Sequence, residues 1–335
     1  MRRLLLTVVL GAVSLLSMGQ SWEYWGKPQQ YLSDQGTVLL QDIDKVLEAY
    51  PPTTERSRER DLALSSLDVI LHDTSFDDSE AFHSFVEKRV VRVVVDLDRA
   101  PSGKLQVYKI YNDGFVVRDR KACVAFDLCG TRGKIKVIPD EMMRAIVGKC
   151  DALFLSHKDP DHSDRNVIRM FLDAGKPVYA STDNNPSIEG ISHIRKEVVL
   201  DTLLSAGGVK LQVAMLPGHQ DDLQNNIWSV TLPSGRTVTH TGDQYREEDL
   251  DWLDNARSLL PRRTDVLIID CWAMELGRTI RGFSPRVVVS GHENEIGHSI
   301  DHREAFWMTR YKYDSLGLGI PVVIQAWGER FDYKR

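Results

Sequence analysis

The stretch LFLSHKDPDHSD, residues 153–164, decides the reading of this chain. Behind a short apolar run it places His157, Asp159, Asp161, His162 and Asp164. Imidazoles and carboxylates at such density suit divalent first-row metals. The run ALFLSH ends on His157, and the pattern recurs downstream: VAMLPGH ends on His219, TVTHTGD on Asp243 and VVVSGH on His292. Each apolar run has the length of a buried strand, so candidate ligands stand repeatedly at C-terminal strand tips. In sheets layered with helices, loops leaving those tips converge on one edge, where binding sites collect. One such ending would mean little; four predict a built metal site.

Outward from that centre, residues 105–335 alternate short strands with turns and helices. LQVYKIY, FVVRD and ACVAFDL read as opening strands, PDEMMRAIVGKC and RNVIRMFLDAG as helices feeding DALFLSH and PVYAS. VKLQVAMLPGH, the hairpin NIWSVTL-PSG-RTVTHTGD, TDVLIID, RVVVSGH and PVVIQAWG follow as strands. Paired strands first and strands alternating with helices later predict an α/β protein of sheets covered by helices. Residues 20–104 read as a helical extension, with helices over 37–49 and 55–72, and a segment at 77–95 that starts like a capped helix and finishes in β-branched residues. His72 and His83 there read as packing or surface histidines.

The N-terminus, MRRLLLTVVLGAVSLLSMGQ, has two arginines, an apolar stretch from Leu4 to Leu16 and the small-x-small triplet Ser17-Met18-Gly19. That is the pattern of a secretory signal peptide covering residues 1–19, too short to span a bilayer comfortably. The expectation is an exported, periplasmic or extracellular chain with no stable membrane span after cleavage. Export would let Cys123, Cys129, Cys150 and Cys271 bridge, in any of three pairings, although buried free thiols fit the apolar runs around Cys123 and Cys271 equally well. The aromatic stretch SWEYWGKPQQY, 21–31, reads as packing onto its own domain. The chain is 42% hydrophobic and 27% charged, and its net charge of −6 with scattered Lys and Arg disfavours a nucleic-acid partner. A small-molecule substrate is expected.

Taken together, His157, Asp159, Asp161, His162, His219, Asp243 and His292 strongly resemble the signature of the metallo-β-lactamase superfamily, H-x-H-x-D-H with a later His, Asp and His. FDLCG around Asp127 looks like that fold's early strand-end aspartate, and the WGE of Trp327–Glu329 is similar to the lactonase-like branch. The resemblance covers roughly residues 105–335. It implies an αββα sandwich with a two-metal hydrolytic site. His157, Asp159 and His219 would hold one ion, Asp161, His162 and His292 the other, and Asp243 would bridge them. Two divalent ions (zinc, or manganese or iron given Asp159) would ionise a shared water for attack on an ester, lactone or phosphodiester. Asp161 and His298 are the catalytic candidates, His298 as proton donor to a leaving group.

The departure from the signature is Asp159, which stands where the second histidine belongs. The flavodiiron proteins carry Glu there, which raises a di-iron oxidoreductase as the alternative, with a non-catalytic binding module as the third reading. Weaker candidates are His302, on one helical face with His298; Asp270, Cys271 and Trp272 as pocket lining; His240 as structural; and Asn225 and Asn226 as turn formers that could also orient an oxyanion.

Overall fold

The computed structural model describes residues 24–194 and 200–334; the proposed signal peptide lies outside them. Among the described residues three long helices come first: α1 (Pro28–Ala49), α2 (Arg58–Leu71) and α3 (Glu80–Asp98). α1 begins at Pro28, nine residues earlier than its apolar spacing suggests, because Pro at the first helical turn is preorganised for the helix and its missing N–H has no partner to lose. The β-branched tail of α3 is helical to its end. Val86, Val90, Val93 and Leu97 repeat at helical spacing and are buried, so tertiary packing overrides their strand preference.

Among the described residues sixteen strands follow. The first sheet runs β16-β1-β2-β3-β6-β7-β8, with β1 (Leu105–Tyr111), β2 (Gly114–Arg118), β3 (Cys123–Phe126), β6 (Ala152–Phe154), β7 (Val178–Ser181), β8 (Ile191–Ile194) and β16 (Glu329–Tyr333). The second runs β15-β14-β13-β12-β11-β10-β9, with β9 (Leu200–Ala206), β10 (Val209–Gln220), β11 (Leu223–Thr231), β12 (Thr237–His240), β13 (Val266–Asp270), β14 (Val287–Gly291) and β15 (Val322–Ile324). A small hairpin, β4 (Thr131–Arg132) with β5 (Ile135–Lys136), projects beside them.

Side chains sort by the period of two. Leu105 and Val107 of β1 face inward with Phe115, Val117, Phe126 and Phe154, against Val213, Met215, Trp228, Val230, Ile268 and Val289 of the second sheet. Tyr108 and Ile110 face outward into a second core with α1, α2, α3, α4 (Asp140–Lys149) and α5 (Arg165–Asp173). The opposite outer face packs on α6 (Leu250–Leu253), α7 (Ala256–Leu259), α8 (Leu276–Phe283) and α9 (Phe306–Leu316). Strands buried on both faces explain why they read as continuous apolar runs. The result is a four-layer α/β sandwich with the helical extension laid on the first sheet.

Asp68 of α2 ties that extension to the segment after β14. Its Oδ1 accepts from Asn294 Nδ2 (2.8 Å) and Phe306 N (2.8 Å), and its Oδ2 from Trp307 N (2.9 Å). Residue 305 at the N-cap of α9 is alanine, so a neighbouring helix caps the orphan amides in its place. Asp68→Ala should therefore cost about 1–3 kcal/mol, the penalty of leaving buried donors unpaired. Denaturant titration measures it; an unchanged midpoint would show that the cap is made by other groups.

Candidate metal centre

The C-terminal tips of β3, β6, β12 and β14 meet at one edge of the sandwich and deliver Asp127, His157, Asp243 and His292. Two of these tips need glycine for close approach. A Cβ at Gly242, which also has φ +54°, would run into Ser156, and one at Gly291 into Asp113. Two tip residues are themselves unusual: His292 has φ 69°, and Asp127 after β3 has φ 43°. Left-handed backbone at non-glycine residues is costly and clusters where structure serves a site.

The ligand atoms converge. His162 Nε2 lies 3.2 Å from Asp243 Oδ1 and 3.3 Å from Asp161 Oδ2, and His292 Nε2 lies 3.4 Å from both Asp161 Oδ2 and Asp243 Oδ2. These four form one buried group able to hold an ion. On its other side, His157 Nε2 is 3.8 Å from Asp243 Oδ2 and 3.6 Å from Asp159 Oδ2. Asp243 thus faces both histidine sets. The Asp159 side chain, 39% exposed, forms the solvent side of the group. His219 is held differently: its Nδ1 bonds both oxygens of Asp249 (2.9 and 3.0 Å), which leaves Nε2 as the ring atom available to an ion.

Each inner imidazole is oriented from behind. Asp127 Oδ2 bonds His162 Nδ1 at 2.9 Å, and Ser156 Oγ, itself bonded to Asp127, lies 2.9 Å from His157 Nδ1. This leaves His157 Nε2, His162 Nε2 and Asp243 Oδ1 buried with no hydrogen-bond partner. What sets these atoms apart from other unpartnered groups is convergence: His162 Nε2 faces Asp243 Oδ1 at 3.2 Å and His157 Nε2 lies 3.8 Å from Asp243 Oδ2, an arrangement that a cation would satisfy. The charges agree. Burial opposes charge on His162 and His292, yet the carboxylates, Asp243 first, outweigh it and hold both imidazoles well above the ordinary value. Burial likewise opposes ionisation of Asp161, and His162 and His292 reverse it, keeping that carboxyl well below its usual range. The carboxylates demand positive charge, which a divalent ion provides. Residues and metal fit.

Several contributors carry no motif visible in the sequence. Asn112, in the β1–β2 turn with φ 51°, points Nδ2 at Asp161 Oδ2 and His292 Nε2, 3.3 Å each. Asn184 Nδ2 holds the carbonyl of His157 at 2.6 Å. Gln220 Nε2 reaches Asp243 Oδ2 at 3.3 Å. Trp272 sets its ring edge-on to His292 with centroids 5.4 Å apart, and Tyr245 stands against Trp272 at 5.6 Å, so these two form an aromatic wall. Of these two aromatics, Trp272 is among the residues that the sequence offers as pocket lining, with Asp270 and Cys271. Asp270 Oδ1 receives Trp272 N at 2.9 Å, and burial followed by the nearby Asp243 raises its carboxyl well above the usual range.

The other candidate residues surround this group. His298 Nε2 lies 2.7 Å from Arg132 Nη2 and 3.2 Å from Glu295 Oε2, and Glu295 Oε2 in turn lies 3.8 Å from His292 Nε2. His302 sits in a 3-10 turn, Ile300–His302, not on a helical face shared with His298, and bonds Ser299 at 3.0 Å. Asn225 and Asn226 lie within β11, not in a turn. Asn225 Nδ2 binds Thr241 O at 2.8 Å on the second-sheet side, and Asn226 N binds Ser156 O at 2.8 Å, tying that sheet to the loop after β6. His240 lies behind the centre, bonded to Asp113 O at 3.1 Å and stacked on Phe126. Clefts exist elsewhere, one of about 780 Å³ beside Pro51–Glu55 and the end of β16, but among the described residues the converging ligand sets lie here.

No protein-family model and no curated protein matches the chain. Solved structures do. A metallo hydrolase from the hyperthermophilic archaeon Ignicoccus hospitalis superposes with TM-score 0.55 at 16% identity, covering 69% of this chain and 99% of that one. An isothiocyanate hydrolase from Delia radicum gut bacteria gives 0.51 at 14%, covering 68% and 99%. A protein named as a possible metal-dependent hydrolase from Veillonella parvula gives 0.50 at 14%, covering 69% and 100%. The fold is an αββα sandwich of the metallo-β-lactamase type. Identity this low establishes the architecture and leaves the chemistry to the residues themselves.

Proposed function

We propose that the chain is an exported metal-dependent hydrolase acting on a small ester, lactone or phosphodiester. The observation that carries this reading is the convergence of buried ligand atoms at the strand tips: His162 Nε2 lies 3.2 Å from Asp243 Oδ1, and His157 Nε2 and His292 Nε2 lie 3.8 and 3.4 Å from Asp243 Oδ2. His157, Asp159 and His219 would hold one ion, Asp161, His162 and His292 a second, with Asp243 shared. Bound there, divalent ions supply an acidified water and polarise the bond to be broken. The chain's own part is positional. Asp127 and Ser156 fix the imidazole tautomers, Asn112 and Gln220 steady Asp161 and Asp243, and Trp272 with Tyr245 walls the approach. Export rests on the pattern of residues 1–19; among the described residues no helix is long and apolar enough to cross a membrane.

Elemental analysis of purified protein, followed by p-nitrophenyl ester, lactone and phosphodiester panels on the metal-loaded form, tests the proposal. Two bound ions with turnover of one panel support it. A reducible iron pair that turns over none of the panels would support the oxidoreductase reading instead, and a metal-free protein the binding module.

Asp159 sets the expected metal preference. With Asp159, Asp161 and Asp243 all ligating, a two-ion site is left less positive than with the two carboxylates of the common signature, and an added oxygen ligand favours harder ions such as manganese or iron over zinc. Asp159→His should move selectivity toward zinc, read as metal content after equilibration with mixed zinc and manganese. Equal ratios in wild type and variant would mean that Asp159 does not ligate.

A further inference from the structure

Cys123 begins β3 and Cys150 is the C-cap of α4, directly before β6. Their Sγ atoms lie 4.0 Å apart, in contact, while Cys129 Sγ faces Thr131 O at 3.0 Å. Sequence spacing leaves three pairings open; the fold brings this one together. The two backbones are fixed side by side by reciprocal bonds, Asp151 N to Cys123 O (2.6 Å) and Cys123 N to Asp151 Oδ2 (2.8 Å). Lys176 Nζ holds the carbonyl of Cys150 at 2.6 Å. Closing the sulfurs to a bond of about 2.05 Å therefore takes side-chain rotation and little movement of the main chain. Cys150 is 1% exposed and Cys123 8%, so Cys123 is the sulfur that solvent reaches first.

We infer that Cys123 and Cys150 are a disulfide-forming pair that locks the loop between them. Both S–H bonds break and one S–S bond forms. The two electrons and two protons pass to a disulfide oxidant such as oxidised glutathione, whose own S–S bond is reduced to two thiols. An exported chain meets such an oxidising compartment. The placement gives the bridge its consequence. The loop it closes contains Asp127, which orients His162, and Arg132, which pairs with Glu295 beside His292. The bridge sits at the N-terminal ends of β3 and β6, whose opposite ends deliver Asp127 and His157. Fewer unfolded conformations then compete with the arrangement that the site needs.

The test uses the wild-type chain in two preparations: native protein held in a glutathione redox buffer, and protein refolded from denaturant in that buffer, which gives the buried thiol access. Alkylation under denaturing conditions should find two thiols instead of four, with an intact mass lower by two hydrogens. One tryptic peptide carries both Cys123 and Cys129, so fragment ions must assign the bridge. A Cys123–Cys150 bridge in either preparation supports the inference. Four alkylated thiols in both, or a bridge that uses Cys129 or Cys271, would overturn it.

Discussion

Asp243→Ala should abolish metal retention at one position at least and cut activity by more than any other single change at the site. Asp243 is the one carboxylate with an oxygen toward each histidine set: Oδ1 is 3.2 Å from His162, and Oδ2 is 3.8 Å from His157 and 3.4 Å from His292. Losing a residue that merely orients a ligand costs about 10–100-fold in metal affinity or activity, so losing the shared ligand should cost on the order of a thousandfold or more. The fold should survive, because three apolar cores hold it without any ion. Chelation separates the two effects. A ligand that binds only the native state stabilises it by mass action, about 2.7 kcal/mol at a hundred times its Kd. EDTA should therefore lower the melting temperature of the wild type by more than that of Asp243→Ala. A variant that still responds to EDTA, with full metal content, would remove Asp243 from the centre.

What the sequence disclosed follows from where chemistry and burial coincide. Strands covered on both faces, such as β13 and β14, are uninterrupted apolar runs, and the polar residues that end them stand out against that background. Hence Asp243 and His292 were visible as tip residues before any geometry was known. Edge strands had no such contrast. Ile191–Ile194 is half-exposed ISHI, and Glu329–Tyr333 is ERFDY, a charged strand recognisable only once it pairs with β1. The supporting groups were hidden for a different reason. Asn112, Asn184 and Asp249 act only through hydrogen bonds to ligands distant in sequence, and a lone Asn or Asp has many commoner explanations. Glycine offered an overlooked signal. Gly242 and Gly291 immediately precede Asp243 and His292, as close approach at crowded strand tips requires.

The largest stability effect is expected far from the ions, at Glu329 in the WGE segment. Its carboxylate is buried and pairs with two arginines of the helical extension: Arg60 binds both oxygens, Nη1 at 2.9 Å from Oε1, and Arg89 Nη2 lies 3.2 Å from Oε1. Burial opposes its ionisation, but Arg60 and Arg89 prevail and keep it below the usual carboxylate range. Arg89 also has Asp44 at 2.6 Å, whereas the remaining partners of Arg60 are the carbonyls of Tyr50 and Ile324. Glu329→Ala thus strands the Arg60 charge in the interior, and removing one member of a buried pair costs about 3–5 kcal/mol. For a chain of this size that is a fall in melting temperature of roughly 5–15 °C. The argument makes a sharper demand of the double variant. Arg60→Met with Glu329→Ala removes the stranded charge as well as its partner, so the pair should lose less stability than the sum of the single changes, by an interaction of about 1–3 kcal/mol. Additive losses would mean that the two residues contribute packing alone. Because Glu329 touches none of the ion-binding side chains in its recorded contacts, metal content at low temperature should remain at the wild-type level in both variants.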